Sequence, residues 1–295
     1  MCALDAAALH PDLQVSTGHG HYYAQAAELR STITCALVRD LGAGDFRPYL
    51  LHNSTSALMA VLFAATNAGR SINTEGPIEQ HYSPYNFLLP RAGPLADWEL
   101  RTHVSPVTAV VDELGGRSIR IVDAAQSLGT VLTPALLTGS DVAIAPLHKH
   151  LGLVVGLGLV LVRRDVPDLE PVHRVLRVAE SGAQSIELLR RAASAIKNLD
   201  GRIANLAQVN VSPELSAWCL DRGLRPLASG PGAPYVCLTT TDGIPVADRL
   251  APTGWRHFRE FNTARFSFVR RGRPGEAAVD HVLEFRMAVN RALGR

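Results

Sequence analysis

A chain of 295 residues suffices for one large α/β domain or two units sharing a core. Apolar residues make up 47% and charged ones 19%, as in ordinary globular proteins, and a formal charge of +2 is too small to direct the chain to nucleic acid or an acidic membrane surface. The few aromatics do not alternate with basic residues, which argues against a base-stacking platform.

From Tyr22 to Leu41 apolar residues recur at helical spacing and Gly42 follows as a stop, so a helix is expected. Pro48–Leu51 has the length and character of a strand. The polar cluster Asn53-Ser54-Thr55-Ser56 then leads into a helix over Ala57–Ala65 that closes near Gly69. Ser118–Val122, ending at Asp123, Val142–Ala145, just before Leu147-His148-Lys149-His150, and Gly156–Val162 read as further strands. Short buried strands alternating with helices indicate a three-layer, mostly parallel sheet. Ligands of such sheets collect at the carboxyl ends of strands, where Ser54, Asp123 and Lys149 fall. An amphipathic stretch from Gly182 to Leu206 reads as one long helix, or two joined ones, leaving the sheet. Tyr235–Thr239 and Ala264–Val269 are expected as strands of a smaller α/β unit, and Glu276–Leu293 as a terminal helix. The expected division is a large domain over residues 1–195 and a small C-terminal domain over 196–295.

Cys2, Cys35, Cys219 and Cys237 are scattered and contain no C-x-x-C pair, so neither a zinc site nor a disulfide framework is expected. The first residues hold Asp5 and no early Lys or Arg, and the apolar run Leu151–Val162 contains glycines and is too short to cross a bilayer. A cytoplasmic protein without membrane or nucleic-acid partners is expected.

Among the 29 basic side chains, only Lys149 and Lys197 are lysines. A lysine in an arginine-rich chain either survives by chance or does what arginine cannot, such as forming an imine. Ser54, Thr55 and Ser56 at a helix start offer hydroxyls and backbone N–H groups to a phosphate, although such hydroxyls also cap many helices that bind nothing. Asp123 at a strand end, with Gln126 three residues on, is placed either to pair with a protonated pyridine nitrogen or to cap the next turn. His148 stands ready to donate to a phosphate. Reading His148 and His150 as metal ligands lacks a third partner, and no metal is expected.

The stretch Ile121-Val122-Asp123-Ala124-Ala125-Gln126-Ser127-Leu128-Gly129, through His148-Lys149 and Gly156-Leu157-Gly158, resembles the aminotransferase class V family of fold-type I enzymes that use pyridoxal 5′-phosphate (PLP). That family includes cysteine desulfurases, isopenicillin-epimerase-like proteins and carbon–sulfur lyases. The resemblance runs from about His19 to the C-terminus and is strongest between residues 119 and 165. It implies the three-layer fold-type I PLP-dependent transferase fold, with residues 1–195 as the PLP-binding domain. It also implies PLP held covalently by Lys149, which would move the Cα proton of a small amino-acid substrate. Asp123 is implied at the pyridine nitrogen, Gln126 at the phenolic oxygen, Ser54, Thr55 and His148 at the phosphate, and His81 stacked on the ring. Arg265, in Ala264-Arg265-Phe266-Ser267-Phe268, matches the arginine that takes the substrate carboxylate, a role suited to a planar guanidinium. A homodimer is implied too, with Ser181 a candidate to reach the partner's phosphate.

Departures from the family pattern bear on the chemistry. The N-terminal and C-terminal parts are shorter than usual, Pro106 stands where many relatives have an asparagine, and Pro146 where a phosphate-binding serine is frequent. No cysteine occurs between Ala251 and Thr263, where desulfurases carry their sulfur nucleophile. His81 and Gln126 favour a lyase that eliminates or cleaves C–S or C–X bonds. Aminotransferase, epimerase and a noncatalytic PLP-fold partner protein are the alternatives.

Overall fold

The computed structural model describes residues 17–74, 97–116, 118–182, 184–197, 199, 211–227, 233–250, 255–267 and 281–294. Helix α1 (Thr17–Leu41) precedes strand β1 (Phe46–Leu51), helix α2 (Ser54–Asn67), and strands β2 (Ile72–Thr74), β3 (Trp98–Thr102) and β4 (Ile119–Asp123). Helix α3 (Thr133–Gly139), strands β5 (Val142–Pro146) and β6 (Gly158–Arg163), and helices α4 (Glu170–Ser181) and α5 (Ile186–Ile196) follow. One sheet takes the order β1-β6-β5-β4-β3-β2. Neighbours from β2 through β5 are parallel, while β6 runs antiparallel to both β5 and β1. Five strands therefore share one direction and β6 alone is reversed, the mostly parallel sheet expected from the sequence.

The layers follow from the alternation of side chains along buried strands. Leu50, Val122, Ala143, Ala145, Leu159 and Leu161 face one side, where α1, α3 and α5 cover them. Their chain neighbours Tyr49, Leu51, Ile121, Val142, Ile144, Val160 and Val162 face the other side, under α2 and α4. In α1 the buried residues Ala26, Ile33 and Leu37 fall on one stripe at helical spacing. Tyr49 and His173 of α4 join that second layer through a hydrogen bond of 2.8 Å between Oη and Nδ1.

Three readings of the sequence require adjustment. The helix expected from Gly182 begins at Ile186, because Gly182 ends α4 and Ser185 caps α5 by accepting from Leu188 N. Rather than leaving the sheet, α5 lies on it, with Leu189, Ala192, Ala193 and Ile196 in the same core as Leu50 and Val122. An amphipathic period specifies a buried stripe, not the surface that buries it. Helix α2, expected over Ala57–Ala65, already begins at Ser54, and Asn53 caps it, its Oδ1 accepting from Ser56 N at 2.8 Å.

The remaining elements are helix α6 (Pro213–Leu220), strands β7 (Leu224–Pro226) and β8 (Tyr235–Thr240), helix α7 (Val246–Arg249), strands β9 (Arg256–Phe258) and β10 (Thr263–Ser267), and helix α8 (His281–Ala292). The strands form a second, wholly antiparallel sheet in the order β7-β8-β10-β9. One face, carrying Val236, Leu238, Ala264 and Phe266, packs with Phe285 and Val289 of α8 and Leu215 of α6. The other carries Tyr235 and Cys237, which pack on Val104 and Ala109 of the loop after β3. Cys219 and Cys237 are buried free thiols. No helix among the described residues is long and apolar enough to cross a membrane.

Gly158 opens β6 between Leu51 and Pro146. A Cβ there would lie 2.5 Å from Asn53 C and 2.6 Å from Ser54 N, so only glycine lets the turn entering α2 rest on the reversed strand. Gly158→Ala is therefore expected to cost about 1–3 kcal/mol in stability. At Gly44 a Cβ meets nothing within 4 Å, and Gly44→Ala is expected to stay within about 0.5 kcal/mol of the parent. Urea denaturation of both variants tests this; equal midpoints would contradict the close approach at Gly158.

Candidate active site

Because β1, β4 and β5 share a direction, their carboxyl ends lie along one edge of the sheet, the usual location of ligand sites in such folds. Asn53, Asp123 and the segment Leu147–Lys149 follow these three ends. The reversed β6 begins at the same edge with Gly158.

Asp123 is the last residue of β4, and its Oδ1 accepts from Ala125 N at 2.9 Å. The following turn buries Gln126 and closes at Gly129, whose φ of 82° favours glycine. A Cβ on Gly129 would come within 2.5 Å of Leu151 Cδ2, so the turn carrying Gln126 packs directly on the loop carrying Lys149. That loop is pinned at both ends: Leu147 N donates to Leu157 O at 3.0 Å and Leu153 N to Leu147 O at 3.0 Å. Lys149 is half-buried at its tip.

The electrostatics at Lys149 oppose one another. Burial pushes its amine below the ordinary 10.5, the charge of Asp123 raises it, and the charges of Arg265 and Arg256 lower it again. Flanking His148 is half-buried and shifted down by burial and by Lys149, with Nδ1 buried and unpartnered. His150 is only 6% exposed, and neither ring nitrogen has a partner among the described residues. Burial and the charges of Lys149 and Arg265 take its pKa down to about 3, leaving it neutral near pH 7.

Arg265 is brought to this edge by the small sheet. It is 8% exposed, its Nη1 donates to Pro106 O at 3.2 Å, and its guanidinium lies 4.8 Å from the Tyr235 ring centroid. Tyr235 Oη in turn donates to Ser105 O at 2.7 Å. Ser105 Oγ shapes that loop by accepting from Thr108 N at 3.1 Å and Val107 N at 3.3 Å. Thus Pro106, a departure from the family pattern, contributes a carbonyl that orients Arg265. Burial lowers the Arg265 pKa from its ordinary value, and its buried Nε has no partner among the described residues.

Asp123, Lys149 and Arg265, singled out separately in the sequence, therefore meet in one electrostatic neighbourhood, with Gln126 in the adjoining turn. Ser54 and Thr55 are half-buried in the first turn of α2, and their hydroxyls have no partner among the described residues. His81 lies outside the described residues. Ser181 is exposed in the last turn of α4, where Oγ donates to Val178 O at 2.7 Å. Pro146 ends β5 opposite Gly158. No group of metal-ligating side chains occurs among the described residues.

Sequence reasoning missed Arg256, Phe258, Tyr235 and the role of the 103–112 loop. None belongs to a motif. The only signal in the sequence was the strand pattern around Tyr235 and Arg265, and strand pairing is what brings Arg256 beside them.

No curated protein matches the chain by sequence. By structure it is similar to alanine–glyoxylate aminotransferase from Nostoc sp., at 16% identity and a TM-score of 0.64 over 90% of this chain and 86% of that one. It is also similar to a NifS-like protein, at 12% identity and a TM-score of 0.64 over 96% and 90%. A third is the aspartate aminotransferase of subgroup IV from Thermus thermophilus, at 16% identity and a TM-score of 0.62 over 97% of each chain. The fold is the three-layer fold-type I arrangement expected from the sequence. A family model matches residues 4–291, and the chain belongs to the family of unknown function DUF6024.

Proposed function

We propose that the chain is a PLP-dependent enzyme acting on a small amino acid, with Lys149 as its catalytic amine. The observation that carries this reading is the meeting of a half-buried lysine with depressed basicity, one carboxylate and a buried, aromatic-flanked arginine at the carboxyl edge of the sheet. The donor set fits the cofactor. Lys149 would hold it covalently, Asp123 would face the ring nitrogen, and Ser54, Thr55 and the free N–H groups opening α2 would receive its phosphate, together with His148. His148 Nδ1 and the hydroxyls of Ser54 and Thr55, without partners among the described residues, support that assignment. Gln126 and His81 complete the cradle proposed from the family resemblance.

The chemistry the cofactor supplies is withdrawal of electron density from the substrate Cα. The chain's own residues do the rest. Arg265 binds the α-carboxylate with donors oriented by Pro106 and Tyr235, which fixes the substrate against the amine. Lys149, unprotonated more readily than an ordinary lysine, takes the Cα proton and returns it. Asp123 keeps that amine from losing its proton affinity altogether, since its charge opposes burial and the two arginines. The preferred outcome is elimination or cleavage of a C–S or C–X bond, supported by the resemblance of Gln126 and His81 to the lyase branch. Transamination needs no group beyond Lys149 and is the second reading, supported by the aminotransferases among the structural relatives. The reading includes a homodimer as the working form.

Reconstitution with PLP is expected to give a visible absorption band that amino acids perturb. Lys149→Ala should lose both the band and turnover; retention of full turnover would refute the amine's role. Arg265→Gln should weaken amino-acid binding by about tenfold or more while leaving cofactor affinity within about twofold; equal substrate affinities would remove the carboxylate assignment. The pH profile of Lys149 acylation should turn over below the ordinary 10.5. Because the Asp123 charge raises this pKa, Asp123→Asn should move the inflection lower still, and an upward move would contradict the electrostatic account.

A further inference from the structure

Arg256 of β9 is paired directly with Arg265 of β10 in the antiparallel ladder, so both side chains stand on the same face of the small sheet. Like charges directly opposite one another are unfavourable in such a pair. Both guanidinium groups converge on one ring: Arg265 lies 5.5 Å from the Phe258 centroid and Arg256 5.2 Å from it. Arg265 is buried and fixed by Tyr235 and Pro106, whereas Arg256 is exposed and has no acidic partner among the described residues. Both act on Lys149 as nearby positive charges, and among the described residues the one acidic group acting on that amine is Asp123.

Two guanidinium charges thus act on the amine, and among the described residues one carboxylate offsets them. A substrate α-carboxylate on Arg265 answers one of them, and the phosphate is assigned to the turn opening α2. Arg256 is left facing the substrate's remaining end. We propose that Arg256 and Arg265 together select an amino acid with a second anionic group, Arg265 taking the α-carboxylate and Arg256 the side-chain carboxylate or phosphate. This deepens the preceding reading and rests on Lys149 as the amine of the site. Phe258 is the positioning residue, its ring lying within reach of both guanidinium groups.

The test is a spectral titration of the PLP-loaded protein with L-aspartate, L-glutamate and O-phospho-L-serine against L-asparagine, L-glutamine and L-serine. The anionic members are expected to bind at least about tenfold more tightly. Arg256→Gln should erase that preference while neutral amino acids bind as before, and Arg256→Lys should restore part of it. Calorimetric titration with succinate against butyrate reads the same preference without cofactor chemistry. A protein that takes up no PLP yet prefers succinate, with the preference lost in Arg256→Gln, would sink the enzyme reading and keep the arginine pair. Equal affinity for charged and neutral probes, a preference that survives Arg256→Gln, or release of cofactor by that substitution would overturn the proposal.

Discussion

An amine half-removed from water and subject to two guanidinium charges is an unfavourable arrangement, and among the described residues one carboxylate offsets it. Asp123 supplies that charge from the end of β4, and Lys149 meets it from the loop after the neighbouring parallel strand β5. The sheet direction sets this encounter. Were β4 and β5 antiparallel, the end of one would lie beside the start of the other, and the two groups would sit at opposite edges. The core supports the edge through strands buried on both faces, so the loops at their ends are fixed relative to one another.

Close backbone approaches make the edge narrow enough to act as one site. Gly129 lets the turn carrying Gln126 rest on Leu151, and Gly158 lets the turn opening α2 rest on β6. The second sheet adds the arginines from outside. Its face meets the 103–112 loop through Tyr235 and Ser105, and that contact fixes Arg265 against Pro106 and the Tyr235 ring, while the Phe258 ring lies near both guanidinium groups. Mutations that shift this loop would therefore disturb the placement of Arg265 without touching its side chain.

Much of this was legible before any coordinates. Strands ending at Asp123 and just short of Lys149 were marked by β-branched and apolar runs closed by polar residues, and their parallel alternation with helices placed both groups at one edge. The helix after β1 was readable too, but it begins at Ser54 rather than at Ala57, because its first turn is polar and carries no apolar period. Helix α4 and strand β3 went unread, as did β2, β7 and β9, whose three residues each are too few for any alternation to register. The placement of α5 was misjudged because amphipathicity does not name a partner. Arg256 was invisible for a different reason: its significance comes from cross-strand register, which no local pattern encodes.

The central claim, that Lys149 is the amine joined to PLP, has a direct test in a chain with only two lysines. Incubation with PLP, reduction with borohydride and peptide mass mapping should place the pyridoxyl adduct on Lys149 and none on Lys197. An adduct confined to Lys197 or the N-terminal amine, or no adduct at all, would contradict the account.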